Sequence, residues 1–217
     1  MEYISVAIDG PAGAGKSTIA KAVANALHFI YVDTGAMYRT VALYCIEHGI
    51  KDESQIANVM DYINIELRYE GNEQQVFLNG QDVTHKIRTS KVSQMASYVA
   101  TFPSVRDKLV EYQKEIAKKQ SVVMDGRDIG TNVLPKATVK IFLTATSTER
   151  ARRRYLEMQQ KGIECNLLEI KEEIDKRDKQ DKTRTFAPLK KAEDAVEVDT
   201  TGFTIDQVVK RILALIP

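Results

Sequence analysis

A glycine-rich stretch near the amino terminus has the residue types of a phosphate-binding loop. It matches the pattern G-x-x-x-x-G-K-[ST] and consists of Gly10, Pro11, Ala12, Gly13, Ala14, Gly15, Lys16, Ser17 and Thr18. Backbone N–H groups of such a loop point at one spot, where the dipole of the following helix adds positive potential. Lys16 would reach the terminal phosphates of a nucleotide, and Ser17 would offer its hydroxyl to Mg²⁺. A plain glycine turn with a solvated lysine is the alternative, but an apolar run precedes the loop and helical spacing follows it.

Further positive charge is expected close to this loop, because phosphoryl transfer depends on alignment and on neutralising the transferring group. Arg39 comes shortly after the second apolar run, which ends at Asp33. Ligands of open α/β sheets bind outside the carboxyl ends of the strands, so the guanidinium group of Arg39 could make a bidentate contact with a phosphate there. A surface arginine on a helix explains Arg39 equally well.

A later apolar run ends in residues that also suit a phosphate site. Asp125 closes that run and resembles the acid that helps hold the Mg²⁺ of P-loop enzymes. Arg127 and Asp128 follow it and would face the same crevice. A turn without a functional role would also explain the sequence Gly-Arg-Asp, but the position of this sequence at a strand end favours a functional role.

A run of arginines follows the next apolar run. It consists of Arg150, Arg152, Arg153 and Arg154, with no lysine among the five positions. Charge runs are usually the solvated face of a helix. Arginine suits bidentate contacts to phosphate, however, and a lid that carries arginines would exclude water from the reaction.

Composition narrows the possible functions. The 217 residues include 31 basic and 30 acidic side chains, so no global positive charge favours nucleic acid as a partner. Cys45 and Cys165 are isolated in the sequence, which argues against a disulfide framework or a zinc site and favours a reducing compartment. The first apolar run begins almost at the amino terminus, and no apolar run is long enough to span a membrane. We therefore expect a cytoplasmic protein without a signal peptide or membrane span. We also expect a monomer.

The order of the apolar runs predicts an α/β fold. Strands are predicted to begin or end near Ile4, Asp33, Asp125, Leu143 and Val198, with helices between them. Strands joined by helices form a parallel sheet with helices on both faces, here the three-layer P-loop NTPase fold. Thr34, Thr146, Asn166 and Thr204 are predicted to cap helices, and Pro103 fits the first turn of another.

The segment 64–83 differs from its surroundings. Apolar and polar residues alternate in it, and Gly71-Asn72 and Asn79-Gly80 stand where turns are needed. The pattern predicts a small antiparallel three-stranded lobe, inserted at about residues 62–89 into a single domain that spans residues 1–217.

The chain as a whole resembles the bacterial-type cytidylate kinases. The segments that carry the resemblance fall in order across nearly the full length and cover residues 9–17, 33–39, 97–106, 125–131 and 177–189. Arg177 and Asp181 alone would indicate only an ordinary surface pair four residues apart on a helix. The inserted lobe resembles that family's pyrimidine-nucleotide-binding subdomain. Other nucleoside monophosphate kinases share the phosphate loop but not this combination of segments.

The resemblance implies a role for each of these residues. It implies that the acceptor nucleotide is surrounded by Thr34, Ser97, Arg106 and Asp128. It implies that the phosphate of this nucleotide is held by Arg39, Arg127 and Arg184, and that its ribose is contacted by Arg177 and Asp181. Cytosine has an exocyclic amino donor that a carboxylate such as Asp128 can accept, and its N3 and O2 acceptors suit Arg106. Uracil reverses the pattern at N3 and at position 4, so this pair would discriminate against it.

The expected reaction is transfer of the γ-phosphate of ATP to CMP or dCMP. Lys16, Arg127, Arg153 and Arg154 are the expected catalytic cations, with Mg²⁺ held by Ser17 and Asp125 and a helical lid at about residues 147–165. Two alternatives stay open on the sequence alone. One is a nucleotide-gated switch such as a GTPase, although no [NT]-K-x-D motif ends a strand. The other is a P-loop kinase for a different small metabolite.

Overall fold

The apolar runs predicted to be strands form a parallel sheet in the computed structural model, which describes residues 3–71, 73–160 and 162–217. The strands are β1 (Ser5–Asp9), β2 (Ile30–Asp33), β3 (Ile65–Glu70), β4 (Glu73–Leu78), β5 (Gln81–Asp82), β6 (Val122–Gly126), β7 (Val139–Thr144) and β8 (Val196–Asp199). The helices are α1 (Lys16–Leu27), α2 (Thr34–Glu47), α3 (Glu53–Val59), α4 (Ser90–Val99), α5 (Pro103–Lys119), α6 (Ser147–Gln160), α7 (Leu167–Thr183) and α8 (Ile205–Leu213). Within the described residues the parallel sheet has the strand order β2-β6-β1-β7-β8.

Both faces of this sheet are covered by helices, as the continuous apolar runs predict. Val6 and Ile8 of β1 pack against α1 and α8, whereas Ala7 faces the opposite side with Val110 of α5 and Met124 of β6. The alternation along β1 therefore serves two apolar cores, one on each side. This arrangement confirms the predicted three-layer α/β architecture.

The register of the strands brings acidic residues together at one edge of the sheet. Asp9, which ends β1, is aligned with Gly126 of β6, and Asp33, which ends β2, is aligned with Asp125. Parallel pairing places all the carboxyl ends at the same edge. The segments that follow these strands therefore meet there.

The predicted lobe is present as an antiparallel sheet of β3, β4 and β5. Asn79 and Gly80 have φ angles of 49° and 83°, the positive values that a tight two-residue hairpin turn needs. The other predicted turn includes Asn72, which lies outside the described residues. Ile65 and Val76 pack with residues of α2 and α4 in one apolar cluster, so the lobe is attached to the domain by a shared core.

Most of the predicted helix starts are confirmed, with one correction. The side chains of Asn166 and Thr204 accept backbone hydrogen bonds at the starts of α7 and α8, and Pro103 begins α5. Thr34 was predicted to cap α2, but the cap is Asp33, whose carboxylate accepts a hydrogen bond from the backbone N–H of Ala36 at 2.9 Å. The prediction was wrong because the Thr34 hydroxyl is used elsewhere: it donates to the backbone carbonyl of Asp125 at 2.7 Å.

The structure also bears on the expectations drawn from composition. In the parts of the chain described above, no helix has both the length and the apolar character that crossing a bilayer requires. Cys45 is buried and Cys165 partly buried, and both are free thiols.

Candidate active site

The phosphate loop joins β1 to α1 in a conformation that requires glycine. Gly10 has a φ of 151°, and a Cβ there would lie 2.1 Å from the carbonyl oxygen of Leu143. Gly15 has a φ of 84° and precedes the first residue of α1. Lys16 is that first residue, while Ser17 and Thr18 follow it in the first turn and are exposed. The loop predicted from the sequence is therefore in place.

Lys16 is a buried ammonium group inside this loop. Its side chain is turned onto the loop, where Nζ donates a hydrogen bond to the Pro11 carbonyl at 2.8 Å. Burial and the nearby Arg127 charge lower the pKa of Lys16 to about 7, although Asp125 opposes the shift. A cation in this situation is stabilised by an added anion.

Asp125 is the centre of a group of hydroxyls at the end of β6. Ser17 Oγ donates to its Oδ2 at 3.0 Å, and the Tyr31 hydroxyl donates to its Oδ1 at 2.8 Å. Burial, followed by the charge of Asp33, raises the pKa of Asp125 to about 6. The described residues contain no cluster of three or more His, Cys, Asp or Glu side chains suited to hold a metal. A hydroxyl next to one carboxylate does fit Mg²⁺, which binds through one or two protein oxygens and completes its shell with phosphates and water.

A second group of charges lies around Asp128, just beyond the same strand. Its carboxylate forms ion pairs with Arg106, which is 1% exposed, and with Arg184 at 3.2 Å. Asn132 donates a third hydrogen bond to it at 3.1 Å. The guanidinium of Arg106 also lies over the ring of Tyr38, 5.5 Å from its centroid. Helix α5 and the end of α7, which are distant in sequence, thus meet at the carboxylate predicted to recognise cytosine.

Helix α7 brings further charges between these two groups. Arg127 Nε donates to the carboxylate of Asp181 at 2.8 Å. Arg177 is on the same face of α7, and its buried Nε has no hydrogen-bond partner among the residues described. Burial, followed by the charge of Arg127, lowers the pKa of Arg177 to about 10. The sequence spacing alone indicated that Arg177 and Asp181 form a surface pair. In the structure Asp181 is buried and Arg177 is partly buried, and both lie close to Arg127.

Two other predicted acceptor residues, Arg39 and Ser97, lie on α2 and α4. Arg39 on α2 donates to the Ile87 carbonyl at 3.2 Å and also to Ser93. Burial, followed by the charge of Arg88, lowers the pKa of Arg39. Ser97 on α4 is half-buried and adjoins α7, since its carbonyl accepts a hydrogen bond from Gln180 at 3.3 Å.

The arginine run divides into side chains with different surroundings. Arg150 is buried and donates to the Ala12 carbonyl of the phosphate loop at 2.8 Å and to Asp178 of α7 at 2.6 Å. Arg152 is exposed. Arg153 donates to the hydroxyl and the carbonyl of Thr200 beyond β8, at 3.0 and 2.8 Å. Arg154 is half-exposed and paired with Glu157 at 3.3 Å, yet its charge still lowers the pKa values of Arg39 and Arg177 after larger effects of burial.

Sequence reasoning missed two contacts that hold the site together. One is the pair of Arg150 and Asp178, which joins α6 to α7, while Arg150 also donates to the Ala12 carbonyl of the phosphate loop. The other is Asp33, which pairs with Arg88 at 2.9 Å and whose backbone N–H donates to Gln74 of the lobe at 2.9 Å. The position of Asp33 at a strand end could have indicated a role for this residue from the sequence. Nothing in the sequence indicated its partners Arg88 and Gln74, because they lie more than 40 residues away.

Comparison with known proteins gives matches over nearly the whole chain. The family model described as "Cytidylate kinase" matches residues 6–217. A cytidylate kinase of Caldicellulosiruptor bescii is 50% identical over 217 residues, covering 99% of this chain and 96% of that protein. One of Bacillus cereus is 53% identical over 215 residues, covering 98% and 96%. Among solved structures, a gluconokinase from Sinorhizobium meliloti is similar in fold alone, with a TM-score of 0.53, 13% identity, and coverage of 99% of this chain and 93% of that one.

Proposed function

The chain belongs to the cytidylate kinase family, and from this premise we propose that it transfers the γ-phosphoryl group of ATP to CMP and dCMP, forming ADP with CDP or dCDP. The observation that carries the proposal is a cluster of buried and partly buried cations in one crevice. Lys16, Arg39 and Arg177 all have lowered pKa values, in each case through burial and a neighbouring arginine. Such a crevice favours anions, and the reaction brings two anionic nucleotides together.

The donor triphosphate binds at the phosphate loop. The loop amides and the positive end of the α1 dipole hold the phosphates, and Lys16 leaves the Pro11 carbonyl to contact them. Ser17 and Asp125 would hold Mg²⁺, since their oxygens already lie 3.0 Å apart. When bound, the metal neutralises charge on the phosphates and helps to orient them.

The acceptor nucleotide binds around Asp128 and α7. Asp128 accepts the cytosine amino group while Arg106 contacts the ring acceptors, with Thr34 and Ser97 nearby. Arg39, Arg127 and Arg184 hold the phosphate, because guanidinium groups match phosphate in bidentate geometry. The ribose lies at Arg177 and Asp181.

Transfer then depends on fixed cations rather than on a general base, because the attacking phosphate oxygen is already anionic. Lys16 and Arg127 stabilise the charge of the transferring group. Arg153 and Arg154 add to this from the lid, residues 147–165, once it closes over the nucleotides. The lobe, residues 62–89, closes from the other side. We further propose that the enzyme acts as a monomer in the cytoplasm.

The test is a coupled assay of ADP release with CMP, dCMP, UMP and AMP as acceptors. We expect high kcat/KM with CMP and dCMP, a lower value with UMP, and little activity with AMP. Lys16→Met should lower kcat by roughly 10²-fold, as expected for loss of a group that contacts the transferring charge. Lys21→Met is the matched control, because Lys21 is exposed on the same helix, 5.8 Å from the Tyr31 ring.

Preference for AMP, or the absence of activity with all four acceptors, would contradict the proposed reaction. Full activity of Lys16→Met would contradict the donor site specifically. These outcomes are separable, because the first concerns the acceptor and the second the phosphate loop.

A further inference from the structure

Asp9 is the residue before the phosphate loop, yet its side chain is bonded on the acceptor side of the crevice. It is 5% exposed. Its Oδ1 accepts a hydrogen bond from the backbone N–H of Ile129, and its Oδ2 accepts one from that of Gly130, both at 2.8 Å. One carboxylate therefore joins two segments that are 120 residues apart in sequence.

The two N–H groups are the first of a short helical turn, Ile129–Val133, that follows Asp128. The turn is wound around the Asp128 carbonyl, which accepts from the backbone N–H groups of Asn132 and Val133 at 2.9 and 3.2 Å. The first N–H groups of a helix lack partners within it and need a cap. An aspartate in the position of Asp128 normally supplies that cap with its own side chain.

Asp128 does not cap its own turn. Its carboxylate points instead to Arg106, Arg184 and Asn132. Asp9 supplies the cap in its place. The task of holding the turn and the task of presenting a carboxylate to the nucleotide are thus divided between two aspartates.

We propose that Asp9 is a positioning residue for acceptor recognition, which leaves the Asp128 carboxylate free to recognise cytosine. The inference rests on the role proposed above for Asp128. Burial raises the pKa of Asp9 to about 6, so at pH 7.5 the group is ionised and both oxygens accept hydrogen bonds. Without Asp9, the unpaired N–H of Gly130, the second residue of the turn, would draw the Asp128 side chain back to cap its own turn, away from Arg106 and the base.

The experiment compares CMP with UMP in Asp9→Ala, Asp9→Asn and Asp128→Asn. The ratio of kcat/KM for CMP to that for UMP should fall roughly tenfold in Asp9→Ala, a typical value for one lost base contact. It should fall less in Asp9→Asn, which keeps one acceptor oxygen. The KM for ATP should stay within about twofold of the parent value in both variants, because the change acts on the acceptor site.

Two controls separate positioning from a general loss of structure. Val139→Ala removes buried volume from the start of β7, which pairs with β1 at Val6 and lies at the end of the sheet away from the crevice. It should lower the unfolding midpoint and leave the CMP preference unchanged. Adding Asp9→Asn to Asp128→Asn should change the preference no further, because the first residue acts through the second.

A CMP preference that is lost in Asp128→Asn but kept in both Asp9 variants would overturn the inference alone. A rise in the KM for ATP equal to that for CMP, with the base preference kept, would also overturn it, since Asp9 would then act on the phosphate loop. An unchanged preference in Asp128→Asn would overturn both this inference and the proposed acceptor site.

Discussion

Lys16 shows how one buried charge can make the protonation of the enzyme depend on its ligand. The pKa of its ammonium group is about 7, against an ordinary value of 10.5, with burial as the largest cause and Arg127 next. At pH 8 most of the free enzyme therefore carries this lysine in the neutral form. Triphosphate oxygens nearby would favour the charged form and raise the pKa again.

We predict that binding of ATP at pH 8 takes up protons, approaching about one per nucleotide bound. The sign follows because the group loses its proton in the free enzyme and regains it in the complex. Asp9 and Asp125, with pKa values of about 6, are ionised in the free enzyme at this pH, and a proton taken up by either of them would still be taken up in Lys16→Met. Calorimetric titration in two buffers of different ionisation enthalpy measures the uptake, and Lys16→Met should abolish it. Equal uptake by Lys16→Met would assign the proton to another group.

The residues of the phosphate loop could be predicted because a phosphate-binding loop has a local sequence pattern. The loop around Lys16 needs glycines, a lysine and a hydroxyl at fixed spacing, so the sequence shows it directly. The role of Asp9 could not be predicted, because its partners are backbone amides 120 residues away. No residue type marks those amides in the sequence. Contacts to backbone atoms across a sheet are known only once the register is known.

At the scale of elements, a buried ion pair joins α6 to α7, and its arginine also donates to the phosphate loop. The side chains of Arg150 and Asp178 are 5% and 12% exposed and lie 2.6 Å apart. The same arginine donates to the Ala145 and Ala12 carbonyls at 3.0 and 2.8 Å. Removing one partner of such a pair leaves an uncompensated buried charge, which is the costly way to break it.

We predict that Arg150→Met lowers the free energy of unfolding by about 3–5 kcal/mol. Arg152→Met, two positions further on the same helix, should change it by less than about 0.5 kcal/mol, because that side chain is exposed. Urea unfolding followed by circular dichroism gives both values. Equal stability of the two variants would mean that the pair does not hold the helices. The arginine run in the sequence could not separate these two residues, since only the packed structure shows which face of α6 is turned inward.

The lobe is attached to the parallel sheet through Asp33. The carboxylate of Asp33 caps α2 and pairs with Arg88 at the end of the lobe. The backbone N–H of Asp33 donates a hydrogen bond to the side-chain oxygen of Gln74. Alternation predicted the lobe strands correctly, because one of their faces is buried and the other exposed. The alternation could not predict how the lobe is attached to the sheet. The prediction that Thr34 caps α2 also left out Asp33, which caps α2 and contacts the lobe.

We predict that Arg88→Met loosens the lobe without unfolding the protein. Half of the Arg88 side chain is exposed, with 49% accessible, so its pair with Asp33 contributes at most about 1 kcal/mol. Hydrogen exchange of β3 and β4 should accordingly become faster by up to about fivefold, while exchange in β1 and β6 stays unchanged. Arg68→Met is the control, because Arg68 pairs with Glu66 inside the lobe. Equal acceleration in both variants would place the effect within the lobe rather than at its attachment.

For the whole molecule, a nearly neutral chain with locally concentrated positive charge favours small phosphates that enter the crevice over large polyanions. The chain has a formal net charge of only +1. Within it, Arg127 lowers the pKa values of both Lys16 and Arg177, so these three cations lie close together. Long-range attraction of polyanions is therefore weak, whereas a phosphate that enters the crevice meets several cations at once.

We predict that binding of the CMP phosphate weakens as ionic strength rises, whereas binding of the base does not. Raising salt from about 0.05 to 0.5 M shortens the screening length severalfold, so the KM for CMP should rise by roughly three- to tenfold. Cytidine, which lacks the phosphate, is the matched ligand: its inhibition constant against CMP should change by less than about twofold. The contact proposed between the base and Asp128, which is 5% exposed, is a buried hydrogen bond, and salt screens buried contacts much less than exposed ones. Equal salt dependence for the two ligands would mean that the cations of the crevice do not hold the acceptor phosphate, and the proposed roles of Arg39, Arg127 and Arg184 would have to be abandoned.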